Sequence, residues 1–242
     1  MRAMILAAGL GTRLKPLTDN LPKALITVKN QTLLEILIKK LSSSGFDKII
    51  INIHHFAELV LKHLNDNNYF GADISISDEH DELLDTGGGL KKASWFFDDG
   101  NPFLVHNVDV ISNIDLKKIH LFHAGSDSIA TLAVRNRKSS RHFLVSDDNL
   151  LCGWRNEKTG ETKYAKKYGA ELTPKAFSGI QVLSPDIFNH MPENRKFSLV
   201  DLFLKVSVSK KIYCYEHDID DWIDVGKPEN IPAAEKLLSE KK

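Results

Sequence analysis

The sequence predicts an α/β fold: a Rossmann-like, three-layer α/β/α arrangement with a mostly parallel central sheet and β-rich excursions. Three observations predict it. Over the first half of the chain, apolar runs of strand length alternate with stretches of helical periodicity, the order that builds parallel sheets through right-handed crossovers. A glycine-rich stretch, "LAAGLGTRLKPLTDNLPKAL" (6–25), follows directly on the first apolar run. From about residue 127 the pattern changes to short strand-like runs with turn signals between them.

Taken in order, "AMILA" (3–7) reads as a short buried strand that ends where the glycines begin. "TLLEILIKKLSSSG" (32–45) carries apolar residues at helical spacing and stops at a glycine. "KIIINI" (48–53) is a continuous β-branched run, as expected of a strand covered on both faces. A helix over 57–68, an alternating strand over 72–77, a helix opened by the glycines of "LLDTGGGLKKA" (83–93) and a buried strand at "PFLVHN" (102–107) follow. Beyond them, "SIATLAV", "RHFLV", "LLCGW", "FSGIQVL" and "KIYCYE" are strand-like. One helix is expected at "SPDIF", with Ser184 as N-cap and Pro185 in the first turn. Another is expected at "SLVDLF", where Ser198 and Asp201 fit a capping box, and a last one over "GKPENIPAAEKLLSEKK". Trp95, Phe96 and Phe97 are expected in the core. No repeat or flexible linker interrupts the chain, so one domain over 1–242 is expected, with two lobes (about 1–110 and 111–242) around a cleft.

The chain has 242 residues, with 32 basic and 32 acidic side chains. That balance gives no general attraction to nucleic acid or to an anionic membrane, and neither is expected as a partner. Two cysteines, Cys152 and Cys214, cannot form a disulfide framework, and reduced thiols in the cytoplasm are expected. No segment approaches the roughly 20 apolar residues of a membrane span. The state expected is a monomer or homodimer.

The glycine-rich stretch leaves backbone N–H groups that no side chain shields, so it can wrap an anion or a flat base closely. It is neither a Walker loop nor the dinucleotide fingerprint, since Leu14 stands at the third glycine position. Arg13 adds a planar, permanently charged fork suited to phosphate oxygens, and Pro22 stiffens the chain ahead of the point charge of Lys23. Two cations flanking one such loop suit a polyphosphate. A polyphosphate implies Mg²⁺, which is usually held by one or two carboxylates plus phosphate oxygens. Asp109, just past a buried strand, and Asp224, in the apolar setting of "DWIDVG", are the candidates.

Gly9, Gly11, Thr12, Arg13, Pro16, Thr18, Pro22 and Lys23 together form G-x-G-T-R-x-x-P-x-T followed by P-K. This string resembles the signature of the sugar-1-phosphate nucleotidyltransferases. "LDTGGG", "FSGIQVLSP", "FSLVDLF" and "DWIDVG" extend the resemblance over nearly the whole chain, toward the short, single-domain branch of that family. The resemblance implies the nucleotidyltransferase (GT-A-like) fold. It implies Mg²⁺-dependent transfer of a nucleotidyl group from a nucleoside triphosphate, with UTP the expected donor, to a sugar 1-phosphate. Asp109 and Asp224 would hold the metal, and with Arg13 and Lys23 would form the catalytic set. Leu6, Ala7, Ala8, Gly9, Gly11, Thr12, Arg13, Lys23, Thr86, Gly87, Gly88 and Asn107 would bind the nucleotide, with Gly87 and Gly88 a shelf for the base. Ser178 and Gly179 would receive the sugar, Gly179 leaving room for a pyranose ring. The nearest alternatives are a cytidylyltransferase acting on a phosphorylated amino alcohol such as phosphocholine, and a catalytically silent nucleotide-sugar sensor.

Three departures from the family pattern stand out. Val108 precedes Asp109 where glycine is common, and Glu157-Lys158-Thr159 stands in place of the Glu-Lys-Pro triplet of longer relatives. No C-terminal β-helix of acyltransferase type is expected. His120 and His123 could share a helix face but lack a third spaced ligand. "DIDD" (218–221) reads as a solvated acidic turn.

Overall fold

The structure, a computed structural model, describes residues 1–165 and 171–239. Its first half runs β1 (Arg2–Leu6), β2 (Thr27–Val28), β3 (Gln31–Thr32), α1 (Leu33–Ser43), β4 (Lys48–Ile53), α2 (Ala57–Asp66), β5 (Asp73–Asp78), α3 (Asp85–Lys92) and β6 (Phe103–Asn107). Then come β7 (Val110–Ser112), α4 (Leu116–Ala124), β8 (Ala130–Arg135), β9 (Arg141–Val145), β10 (Leu151–Asn156), β11 (Thr162–Tyr164) and β12 (Thr173–Leu183). The chain continues through α5 (Leu199–Val206), β13 (Ile212–Glu216), β14 (Trp222–Asp224) and α6 (Ile231–Ser239). The expected continuation of the last helix over 240–242 lies outside the described residues.

Alternation along the strands sets the layers. In β4, Ile49, Ile51 and Ile53 face the core beneath α1, α2 and α6, while Ile50 faces the core beneath α3 and α5. In β1, Ala3 and Ile5 take the first side and Met4 the second. Strands buried on both faces need continuous apolar runs, which is why "KIIINI" has no polar residue between the exposed Lys48 and Asn52. The main sheet runs β11-β10-β9-β12-β6-β1-β4-β5, with β8 pairing β12 and β13. Its β6-β1-β4-β5 part is parallel, and the β-rich excursion meets it antiparallel through β12 on β6. The expected α/β class is observed.

One helix start departs from expectation. Residues Pro185–His190 form a short 3₁₀ turn without a side-chain cap, because the Ser184 hydroxyl is engaged by His123 Nε2 at 3.0 Å and the Ser128 carbonyl at 3.2 Å. Ser198 does cap α5, accepting from the Val200 N–H at 3.1 Å. Trp95 is 59 % exposed, not in the core; Phe97 is buried against Phe103. No helix among the described residues is long and apolar enough to cross a membrane.

Candidate active site

β1 ends between β4 and β6, and the chain leaves the sheet there through the glycine-rich loop. Two bonds anchor its start: the Ala7 N–H donates to Asn52 Oδ1 at 2.7 Å, and the Val108 N–H donates to the Leu6 carbonyl at 3.1 Å. The 3₁₀ turn Thr12–Leu14 closes on the Gly11 carbonyl, which accepts from the Leu14 N–H at 2.8 Å and the Thr18 hydroxyl at 2.9 Å. Between anchor and turn, the N–H groups of Ala8, Gly9 and Leu10 have no hydrogen-bond partner among the described residues, and Gly9 faces open space. Such free donors at the C-terminal end of parallel strands form an anion cradle.

Asp109 and Asp224 meet at the mouth of this loop. Asp109 lies between β6 and β7; Asp224 ends β14, and the two-stranded β7–β14 ribbon sets Val110 opposite Asp224. The Val225 N–H donates to the Asp109 carbonyl at 2.8 Å, and the Gly226 N–H to Asp224 Oδ1 at 2.7 Å. Lys23, at the start of a 3₁₀ turn after Pro22, forms an ion pair with Asp109. Burial works to raise the pKa of Asp109, yet the Lys23 ammonium beside it holds it below the ordinary carboxylate value. Asp224 is pushed the other way, by burial and then by the charge of Asp109. Arg13 reaches the same point: a Cβ placed on Gly226 would lie 2.6 Å from Asp224 Oδ1 and 2.7 Å from Arg13 Nη2. The structure therefore brings Arg13, Lys23, Asp109 and Asp224 together.

One cavity opens from this cluster and a second adjoins it. The first, of about 1260 Å³, is lined by Arg13, Asp224, Trp222, Arg137, Arg141 and Lys158. The other, of about 480 Å³, is lined by Leu6, Thr86, Asn107, Arg141, Trp154 and Lys163 among others. Arg141 belongs to both walls. The Glu157–Lys158 turn thus borders the larger cavity.

Four expected contacts lie behind the walls. The Gly87 and Gly88 N–H groups both donate to the Phe197 carbonyl, at 2.9 and 3.3 Å, and the space where their side chains would stand is filled by Phe197 and the Arg195 backbone. These two glycines seat α3 on the segment before α5 and offer no shelf. Thr86 likewise binds the Leu199 N–H through its hydroxyl at 3.0 Å, yet it also lines the smaller cavity. Ser178 is fully buried, its hydroxyl 2.6 Å from His217 Nε2 and its carbonyl accepting from Trp222 Nε1 at 2.9 Å. It supports Trp222 from behind. Gly179 has φ +75° at the point where β12 shifts register, and a Cβ there would lie 2.8 Å from Asn107 Nδ2. Its space is taken by Asn107 and Val110, with no room for a ring.

Other side chains enter unannounced. Trp222 stands under the Arg137 guanidinium, 4.4 Å from ring centroid to Cζ, and Arg137 Nη2 donates to the Phe177 carbonyl at 3.1 Å. The basic run "RNRKSSR" (135–141) was the available signal for Arg137 and Arg141. His120 and His123 are engaged elsewhere, His120 with the Pro102 carbonyl and His123 with Thr131 and Ser184. Among the described residues, no group of three or more His, Cys, Asp or Glu could hold a metal ion. The Asp109–Asp224 pair fits a hard cation that takes one or two carboxylates and completes its shell with phosphate oxygens and water.

The chain is similar to known proteins along nearly its whole length. The N-acetylmuramate alpha-1-phosphate uridylyltransferase of Caulobacter vibrioides is 32 % identical, over 98 % of this chain and 97 % of its own length. The UTP–glucose-1-phosphate uridylyltransferase of a Synechocystis strain is also 32 % identical over 99 % of this chain, which spans 64 % of that longer relative. The crystal structure of HddC from Yersinia pseudotuberculosis complexed with GMP-PN superposes with a TM-score of 0.78, at 24 % identity, covering 98 % of this chain and 99 % of that one. The Nucleotidyl transferase profile matches residues 2–241, and the chain belongs to that family.

Proposed function

We propose that this protein transfers a nucleotidyl group from a nucleoside triphosphate, with UTP the donor, to a sugar 1-phosphate, with Mg²⁺, releasing pyrophosphate. The observation that carries the reading is the meeting of Lys23, Arg13, Asp109 and Asp224 beside unpartnered loop N–H groups at the ends of parallel strands. In the reaction, an oxygen of the sugar phosphate forms a bond to the α-phosphorus as the α–β anhydride bond breaks. That oxygen is already anionic near neutrality, the second phosphate pKa being about 6, so no general base is required. The difficulty is charge: an anion must approach an anion in line. The loop N–H groups receive the triphosphate, and Lys23 supports the α-phosphate as charge builds. Arg13, at the cleft edge, supports the departing pyrophosphate. A magnesium ion held by Asp109 and Asp224 would supply neutralisation of the phosphate charge.

The first lobe (about 1–110) takes the nucleotide and the second the sugar phosphate. The two uridylyltransferase relatives support UTP as donor. The test is pyrophosphate release across four nucleoside triphosphates and a panel of sugar 1-phosphates, with and without Mg²⁺. Release with UTP, only when both a sugar 1-phosphate and Mg²⁺ are present, is the expected result. Nucleotide binding with no release under any combination overturns it.

A further inference from the structure

Beneath the glycine-rich loop runs a buried polar chain that none of the steps above uses. Asn52, in β4, and Glu79, just past β5, are both buried. Asn52 Oδ1 accepts from the Ala7 N–H at 2.7 Å, and Asn52 Nδ2 donates to Glu79 Oε1 at 2.7 Å. Glu79 Oε2 accepts from the Leu84 N–H at 3.2 Å, immediately ahead of α3. Two walls of the nucleotide site, one starting at Ala7 and the other at Leu84, are thereby tied through two side chains. The third glycine of "TGGG" belongs to the same arrangement: a Cβ on Gly89 would lie 2.6 Å from Glu79 Oε1 and 2.8 Å from Asn52 Nδ2. The helix gives up a better helix former there to make room for the pair. A carboxylate in such a place is costly, and burial pushes its pKa up. Packing alone is better served by an apolar residue.

We infer that Asn52 and Glu79 are positioning residues that fix the spacing between the loop at Ala7–Gly11 and the helix opening at Leu84–Thr86, and so preset the nucleotide cradle. This rests on the function proposed above. The pairing has a direction. Both ends are backbone N–H donors, so each needs an acceptor. The asparagine amide offers one acceptor and one donor, which obliges its partner to present two acceptors. Glu79→Gln leaves two donors facing each other, either at Leu84 or, if the Asn52 amide turns over, at Ala7. Asn52→Asp sets two carboxylates together. The double variant N52D/E79Q restores every donor to an acceptor and keeps the charge of the pocket.

The experiment compares wild type, E79Q, N52D and N52D/E79Q by amide hydrogen exchange of the free proteins and by UTP affinity with kcat. Each single variant is expected to speed exchange at Ala7 and Leu84 and to weaken UTP binding about tenfold, the scale of one lost buried hydrogen bond, with kcat changed less. The double variant is expected to return both to within about twofold of wild type, on the same scale. Wild-type exchange and affinity in the single variants overturn the inference, as does a double variant no better than the sum of the two. If E79Q does not fold, the double variant decides: recovered folding with protected Ala7 and Leu84 supports the relay, and continued failure overturns it. The exchange measurement needs no ligand, so a wild type that binds no nucleotide sinks the proposed function while the relay is still read.

Discussion

Asp109 and Asp224, far apart in the chain, stand side by side because the β7–β14 ribbon sets Val110 across from Asp224 and the Val225 N–H grips the Asp109 carbonyl at 2.8 Å. Lys23 neutralises one of the two charges directly. Asp224→Asn removes the other and keeps an oxygen for the Gly226 N–H. Metal-free D224N is expected to melt about 2–4 °C above metal-free wild type, roughly what 1 kcal/mol of relieved repulsion gives in a chain of this size. Added Mg²⁺ should stabilise wild type and leave D224N unmoved, with turnover down about 10²-fold or more. Thermal melts with and without MgCl₂ check this; a metal-free D224N that melts lower counts against repulsion between the pair.

Lys23 has a second task in the proposed reaction, at the α-phosphate. Lys23→Ala should lower kcat by about 10²–10³, by analogy with other donors that act on developing charge. UTP affinity should change far less. Steady-state kinetics beside equilibrium binding separates the two, and equal losses in both argue against a role in the transition state.

Glycine substitutions should divide by what they meet. Gly226→Ala would press on the ends of two side chains, Asp224 Oδ1 and Arg13 Nη2, which can swing away. Its melting temperature should stay near wild type while turnover falls, because both displaced groups belong to the cluster. Gly88→Ala would instead meet the backbone carbonyl of Arg195, which cannot yield. It should cost about 1–3 kcal/mol of stability, as overpacking does. Paired denaturation and activity measurements give the contrast.

Three buried histidines set an acid limit. Burial pushes His106 down to about 3 and His123 and His217 down to about 4. All three stay neutral in the folded protein while the unfolded chain takes up their protons below the ordinary value of 6.5. The unfolded state then binds more protons, so stability is fully present above pH 6.5 and declines as the pH falls toward 4. Urea midpoints across that range should show the decline, and His217→Gln should reduce the proton uptake on unfolding by about one.

Much of this was legible in the sequence because it depends on local period and chemistry. "KIIINI" has the continuous β-branched run of a strand buried on both faces, and the aspartates of "HNVDV" and "DWIDVG" stood out against apolar neighbours. What escaped depends on partners far along the chain. Ser184 looked like a cap, but its hydroxyl was claimed by His123 from another element. Gly87 and Gly88 looked like an open shelf, and only the folded chain lays Phe197 and Arg195 over them. Asn52 and Glu79 carry no motif at all. Their pairing exists only once β4, β5 and the loop after β1 are brought together.

The ribbon that carries Asp224 also imposes a timetable on biosynthesis. A nascent chain leaving the ribosome exposes Lys23 and Asp109 early, but the second carboxylate arrives with β14, after β1 to β13 have been made. Any polypeptide halted before that point has half a pair. Premature termination therefore yields fragments that cannot assemble the full cluster, and a tag or truncation that unseats β14 should act as if it had struck the reaction centre itself.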